Sequence, residues 1–364
     1  MGKKFCGEEL EAAIKRLPRG KFQMDAYLNA IQQADAAGDP YWRLMFRCDY
    51  CYEATFRDDP PKAIPVAAEF CALFEENAEA FIARSPDGAS EMHLMIMQMG
   101  IDPIVFLPQI PIKQWETMMA EFYRWVKYYH IGLRTYWWQM ARFWRYVDRK
   151  KAYEYFQKFW KTGRDGLSDC RTCERSYAVQ MELLMGNRAA ADEYAKPMEQ
   201  GRMRFCPDTP HLYWLAYLEY ALDHGDMKEA EKRANALYRK GNRDKSDLSY
   251  IGAILRCWAY TDPERALELF AKRLEWSIGM WDQKKVYDFD KGSCVLFQRL
   301  SKHQQAVHLD LPHTFPLWRE DGAYSTKELA NWFREQAETI SRRFDERNGS
   351  HCFGHDLAVT LAKR

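Results

Sequence analysis

The feature that most constrains this 364-residue chain is a recurring turn followed by a helix with an early alanine. The turns read Asp148-Arg149-Lys150-Lys151-Ala152, Gly186-Asn187-Arg188-Ala189-Ala190-Ala191, Gly225-Asp226-Met227-Lys228-Glu229-Ala230 and Asp262-Pro263-Glu264-Arg265-Ala266. Their closing alanines stand 39, 39 and 36 residues apart. An earlier copy, Asp59-Pro60-Pro61-Lys62-Ala63, lies about two such units before Ala152. A small residue there lets the second helix of a hairpin approach the first, and a large residue one turn later fills the seam. Ala152-x3-Phe156 and Ala266-x3-Phe270 supply that pair. A chain with this period grows by adding units that pack on their neighbours, so its length does not demand one ever-larger core.

Nearly every periodic segment repeats at 3.6 residues. Phe22, Tyr27, Ile31 and Ala34 share one face, and Gly38-Asp39-Pro40 stops that helix. The next opens at Tyr41 and runs to Asp58-Asp59-Pro60, and another carries Ala63, Ala67, Phe70 and Phe74. Strand pairs with hairpin turns are not evident. The expectation is an all-α chain of roughly 15 to 17 helices, arranged as an α-solenoid of antiparallel helix hairpins, each about 36–40 residues long.

Breakers divide the chain. Residues 1–81 read as N-terminal hairpins. Ser85-Pro86-Asp87-Gly88, Asp102-Pro103, Pro108 and Pro111 make 82–112 a loop-interrupted helix or an irregular connector. Hairpins resume over 113–309. The block 310–364 is a loop followed by capping helices, with Ser325-x2-Glu328 as a capping box and Asn348-Gly349 as a stop. The whole is expected to form one continuous array.

Hydrophobic residues at 47% and charged residues at 29% place the chain among soluble globular proteins. No apolar run approaches the ~20 residues that span a bilayer. The N-terminus lacks the apolar core of a secretory signal, and the ten cysteines lack the dense spacing of a secreted disulfide scaffold. A cytoplasmic protein with reduced thiols is expected.

Three cysteines and a histidine form the candidate metal site. Cys170 and Cys173 fall on one face of a helical first turn, and Cys206 and His211 fall at the equivalent place one repeat later. Three thiolates and an imidazole suit a structural zinc ion. A cluster of buried thiols and a redox Cys-x2-Cys are the alternatives. Cys48, Cys51 and Cys71 lack a fourth donor and read as core packing.

The candidate partner surface is 122–164, where eleven Lys or Arg face only Asp148 and Glu154, in a chain of net charge +1. Arg124, Lys127, Arg134, Arg142, Arg145, Arg149, Lys150 and Lys151 are its candidate binding residues. Sixteen aromatics interleave with the cations, which suits an acidic protein partner or, as an alternative, single-stranded nucleic acid. The bland reading makes the aromatics a core seam and the cations a wet face. No phosphate-binding glycine loop, nucleophile elbow or zinc-protease His-Glu-x2-His occurs, so no enzyme is expected.

Several motifs together resemble bacterial tetratricopeptide-like repeat proteins of undefined biochemical activity. They are Glu53-Ala54-Thr55-Phe56 before Pro61-Lys62-Ala63, Leu107-Pro108-Gln109-Ile110-Pro111, Asp169-Cys170-x2-Cys173-Glu174, Cys206-x3-Pro210-His211, Phe315-Pro316-Leu317 and Phe344-Asp345-x-Arg347-Asn348-Gly349. The resemblance implies an α-solenoid and a protein-interaction scaffold, with no catalytic residues to transfer. The alternative is an enzyme or toxin-linked regulator using Asp345, Arg347 or His351 in the C-terminal block.

Overall fold

The alanines at 63, 152, 191, 230 and 266 are all fully buried. Four of them occupy the fourth position of a helix with Asp or Asn at its N-cap position, and in three of the four the Asp side chain accepts a first-turn amide. Asp148 accepts the Lys150 and Lys151 amides, Asp226 accepts the Glu229 amide and Asp262 accepts the Arg265 amide. The motif is therefore a physical device: an Asp cap fixes where three of these helices begin, and an alanine one turn later permits close packing.

The computed structural model describes residues 5–85, 87–207, 209–241 and 243–363. Among them are seventeen α-helices: α1 (Gly7–Ile14), α2 (Lys21–Ala37), α3 (Trp42–Arg57), α4 (Ala63–Arg84), α5 (Ala89–Ile101), α6 (Ile112–Tyr129), α7 (Leu133–Trp144), α8 (Arg149–Lys161), α9 (Arg171–Leu184), α10 (Arg188–Glu199), α11 (His211–His224), α12 (Met227–Lys240), α13 (Leu248–Thr261), α14 (Pro263–Ser277), α15 (Gln283–Leu300), α16 (Thr326–Asn348) and α17 (Cys352–Ala362). No described helix is long and apolar enough to cross a membrane.

The chain divides into two compact units, Met1–Gln139 with Phe159–Ser168, and Met140–Lys158 with Asp169–Arg364. In the first, α2 packs on α3, α3 on α4, α4 on α5 and α5 on α6. Phe46, Phe70, Phe74 and Phe81 fill its core. The proline-marked 82–112 stretch is more regular than its breakers suggest. It holds α5, whose Leu94, Ile96, Met97 and Ile101 are buried, followed by a 3₁₀ turn over Asp102–Phe106.

In the second unit, α9 pairs with α10, α11 with α12 and α13 with α14. The first helices also pack in series, α9 on α11, α11 on α13 and α13 on α15. The α13–α15 contact is backbone to backbone. A β-carbon at Gly252 would lie 2.2 Å from the Asp288 carbonyl oxygen, and one at Gly292 would lie 2.2 Å from that of Gly252. Ser325 caps α16 by accepting the Glu328 amide, and Gly349 ends it with φ +60°.

One expectation is corrected. A strand pair does exist, with β1 (Ala306–His308) running antiparallel to β2 (Ala323–Ser325). Each strand is three residues long and buries one side chain, Val307 or Tyr324, so neither shows a readable alternation.

Candidate metal centre and polar cleft

Cys170 is the N-cap of α9, and its sulfur accepts the Cys173 amide at 3.3 Å. Cys173 follows one turn later and is buried. Cys206 comes from the segment before α11, which is tethered to α9 by the Thr172 hydroxyl donating to the Arg204 carbonyl at 2.7 Å. The Cys173 and Cys206 sulfurs lie 3.1 Å apart, and all three sulfurs lie within 4.8 Å of one another. Burial, followed by the neighbouring sulfurs of Cys206 and Cys170, pushes the Cys173 thiol up. This donor set fits a thiophilic ion, which displaces thiol protons when it binds.

His211 is not gathered into the group. It opens α11, and its ring stacks on Tyr250 with centroids 5.5 Å apart. The expected set of four is thus three in this structure. Cys48 and Cys51 are buried free thiols, and Cys71 is half-buried.

The basic stretch is divided between the two units. In the first, Phe122, Val126, Trp138 and Phe159 are core residues. Arg134 belongs to that interior and not to a partner surface. It is only 5% exposed, its guanidinium donates to the Phe159 and Thr162 carbonyls, and it covers the Phe159 ring. Arg124 is engaged by Glu121 and Glu75, while Lys127 is exposed. In the second unit Arg149 and Lys150 are exposed, Arg142 is half-buried and Lys151 lies over the Trp144 ring. Arg145 donates to the Gln180 side chain at 3.0 Å.

Arg145 leads to a site that sequence reading missed. It lines a cleft of about 460 Å³ in the second unit, together with side chains of α9, α11, α13, α15 and α17. Helical spacing explains the convergence. Leu212, Leu215, Glu219 and Asp223 form one stripe of α11, and Lys284, Tyr287, Asp288 and Lys291 form one stripe of α15. The second stripe carries charges at i, i+4 and i+7, in a helix that also holds Lys285, Asp290 and Arg299.

Most of these charges are paired. Lys284 contacts Asp288 at 2.6 Å, Lys291 contacts Asp356 at 2.6 Å and Arg256 contacts Asp223 at 3.2 Å. The Tyr287 hydroxyl donates to Asp356 at 2.8 Å. Burial alone would raise the Asp356 carboxyl, but Lys291 and Arg256 hold it well below the usual carboxylate range. Glu219 differs, since no donor or cation lies within bonding distance of its carboxylate among the described residues. Burial pushes that carboxyl up, against the pull of Lys284, Lys291 and Arg256. Arg145 and Arg149 likewise meet no carboxylate among the described residues.

The C-terminal motif positions α17, whose Cys352, Phe353 and Asp356 line the cleft. Asp345 accepts the Phe353 and Gly354 amides at 3.0 and 2.8 Å, so it caps the start of α17. Phe344 stacks on Phe353 at 4.3 Å, and Asn348 donates to the Tyr146 carbonyl at 3.1 Å. Asp345 therefore holds α17 in place as its cap, while Arg347 lies over the Phe143 and Phe344 rings and donates to the Asn348 side chain at 2.8 Å. His351 is exposed at the N-cap position of α17.

No family model, characterised protein or solved structure matches this chain.

Proposed function

We propose that this protein is a non-enzymatic binding scaffold of the tetratricopeptide-like solenoid type, and that it holds an acidic, extended partner segment in the cleft of its second unit. The observation that carries this reading is the set of groups left unmatched around the cleft: the Arg145 and Arg149 cations, and the Glu219 carboxyl deeper in. An acidic side chain of the segment pairs with the arginines, while a backbone N–H or hydroxyl donates to Glu219. The series α9, α11, α13 and α15 provides the rigid floor that such recognition needs.

Zinc is the proposed occupant of the cysteine cluster, because three thiolates suit it and its binding joins α9 to the segment before α11. Its part in this reading is to fix how neighbouring helix pairs stack.

Fluorescence anisotropy with a labelled Asp/Glu-rich peptide tests the scaffold reading. Saturable binding is expected, and Arg145→Glu with Arg149→Glu should weaken it at least ~10-fold while the melting temperature holds. Equal binding by the double variant rejects the cleft as the site.

Glu219 favours one second reading. A partnerless carboxyl with a raised pKa inside a cleft is the kind of group that serves as a general acid. The enzyme reading requires that Glu219→Gln abolish turnover of a substrate; the scaffold reading requires only altered affinity.

A further inference from the structure

We infer that the Cys170–Cys173–Cys206 site holds its zinc through three thiolates and keeps the fourth coordination position open to an external nitrogen or sulfur donor. The inference rests on the zinc reading above and departs from the closed four-ligand site that the sequence spacing suggests. Zinc–sulfur bonds of ~2.3 Å around a tetrahedral ion place sulfurs roughly 3.8 Å apart, and the three sulfurs already lie within 4.8 Å of one another. Little rearrangement separates this arrangement from a bound one.

The fourth position lacks a resident donor among the described residues. His211 lies outside the group of three, its ring stacked on Tyr250 and its Nε2 buried without a hydrogen-bond partner among the described residues. Asp169 accepts the Tyr177 hydroxyl at 2.9 Å. The Thr209 hydroxyl accepts the Cys206 amide at 2.9 Å, so it serves the turn that presents Cys206. Cys173 is buried and Cys206 is half-buried, but Cys170 is exposed, so solvent reaches the triad on its Cys170 side. A closed four-ligand shell is structural and inert, whereas a three-ligand ion takes water or an incoming donor in the remaining position. The cysteine site that joins α9 to the segment before α11 is therefore also a ligand site, fit for an imidazole or thiolate presented from outside. Asp208 lies outside the described residues and enters the test directly.

Cobalt(II) titration of the reduced, metal-free full chain reads both levels. One cobalt per chain is expected, with near-ultraviolet sulfur-to-cobalt charge transfer. Cys170→Ser, Cys173→Ser and Cys206→Ser should each lower affinity at least ~100-fold, more than outer-shell changes cost at metal sites. His211→Ala and Asp208→Asn should leave the visible spectrum unchanged. Imidazole added to the wild-type cobalt protein should shift the visible bands, a measurement that needs no variant to fold. Absence of cobalt binding removes both the zinc reading and this inference. Cobalt bound with a spectrum indifferent to imidazole, or altered by His211→Ala or Asp208→Asn, leaves the zinc reading standing and overturns the open position.

Discussion

Gly252 and Gly292 are where a single methyl group should do the most damage. Each added β-carbon would stand 2.2 Å from a backbone carbonyl oxygen of the facing helix, where ordinary contact begins near 3.4 Å. The obstacle is main chain, so no rotamer change relieves it, and α13 and α15 must separate by roughly 1 Å or tilt. Overpacking a well-filled core costs about 1–3 kcal/mol, and the rigid obstacle puts Gly252→Ala at the upper end. Alanine's better helix propensity returns about 1 kcal/mol, leaving a net loss of about 2 kcal/mol. For a unit of this size that corresponds to a fall of about 4–8 °C in melting temperature. Differential scanning calorimetry should show the loss in the second unit's transition, and acidic-peptide affinity should fall with it because Lys284 and Lys291 ride on α15. Gly163→Ala, with nothing within 4 Å of its β-carbon, is the control. A Gly252→Ala protein that melts at or above wild type would falsify the close-contact argument.

Three further outcomes are expected. Burial pushes the Asp49 carboxyl from an ordinary 3.8 up to about 6, so the folded state keeps a proton that the unfolded chain releases. The stability tied to that proton is present below pH 4 and is lost as pH rises through 6, about 3 kcal/mol in all; Asp49→Asn should raise the melting temperature at pH 7.5 and not at pH 4. His93 runs the other way, since burial among Phe74, Trp125 and Tyr129 lowers it to about 3. Stability present above pH 6.5 is lost as pH falls toward 3, about 2 kcal/mol of it by pH 5, and His93→Phe should flatten that limb of the melting curve against pH. Asp345→Ala removes the α17 cap at a cost of about 1–2 kcal/mol and should weaken acidic-peptide binding through the displaced cleft wall; an unchanged affinity would argue that α17 takes no part.

The all-helical architecture was legible because each second helix announces itself locally, by an Asp or Asn at the N-cap position and an alanine four residues on. The same local rules located the Ser325 cap and the Gly349 stop. They did not find β1 and β2, whose three-residue strands carry no period, and they left the bounds of α5 open between a loop-interrupted helix and a connector. Spacing also brought Cys170, Cys173 and Cys206 together, since α9 packs beside α11. It could not foresee that His211 would stack on Tyr250, because that partner comes from a different helix pair. The cleft was the least legible feature. Its charges come from elements as far apart as Arg145 and Asp356, and only tertiary packing makes them neighbours. In the 122–164 stretch, composition alone could not separate the buried Arg134 from Arg145 at the cleft.

Hydrogen–deuterium exchange of the full chain with and without a saturating Asp/Glu-rich peptide tests most directly whether the cleft is the binding site. Slowed exchange is expected in α11 over 212–224, around 284–291 of α15 and at the start of α17 over 352–356, with α2 to α6 unchanged. Protection confined to α6, or no protection in α11, α15 and α17 despite demonstrated binding, would contradict the assignment of the cleft.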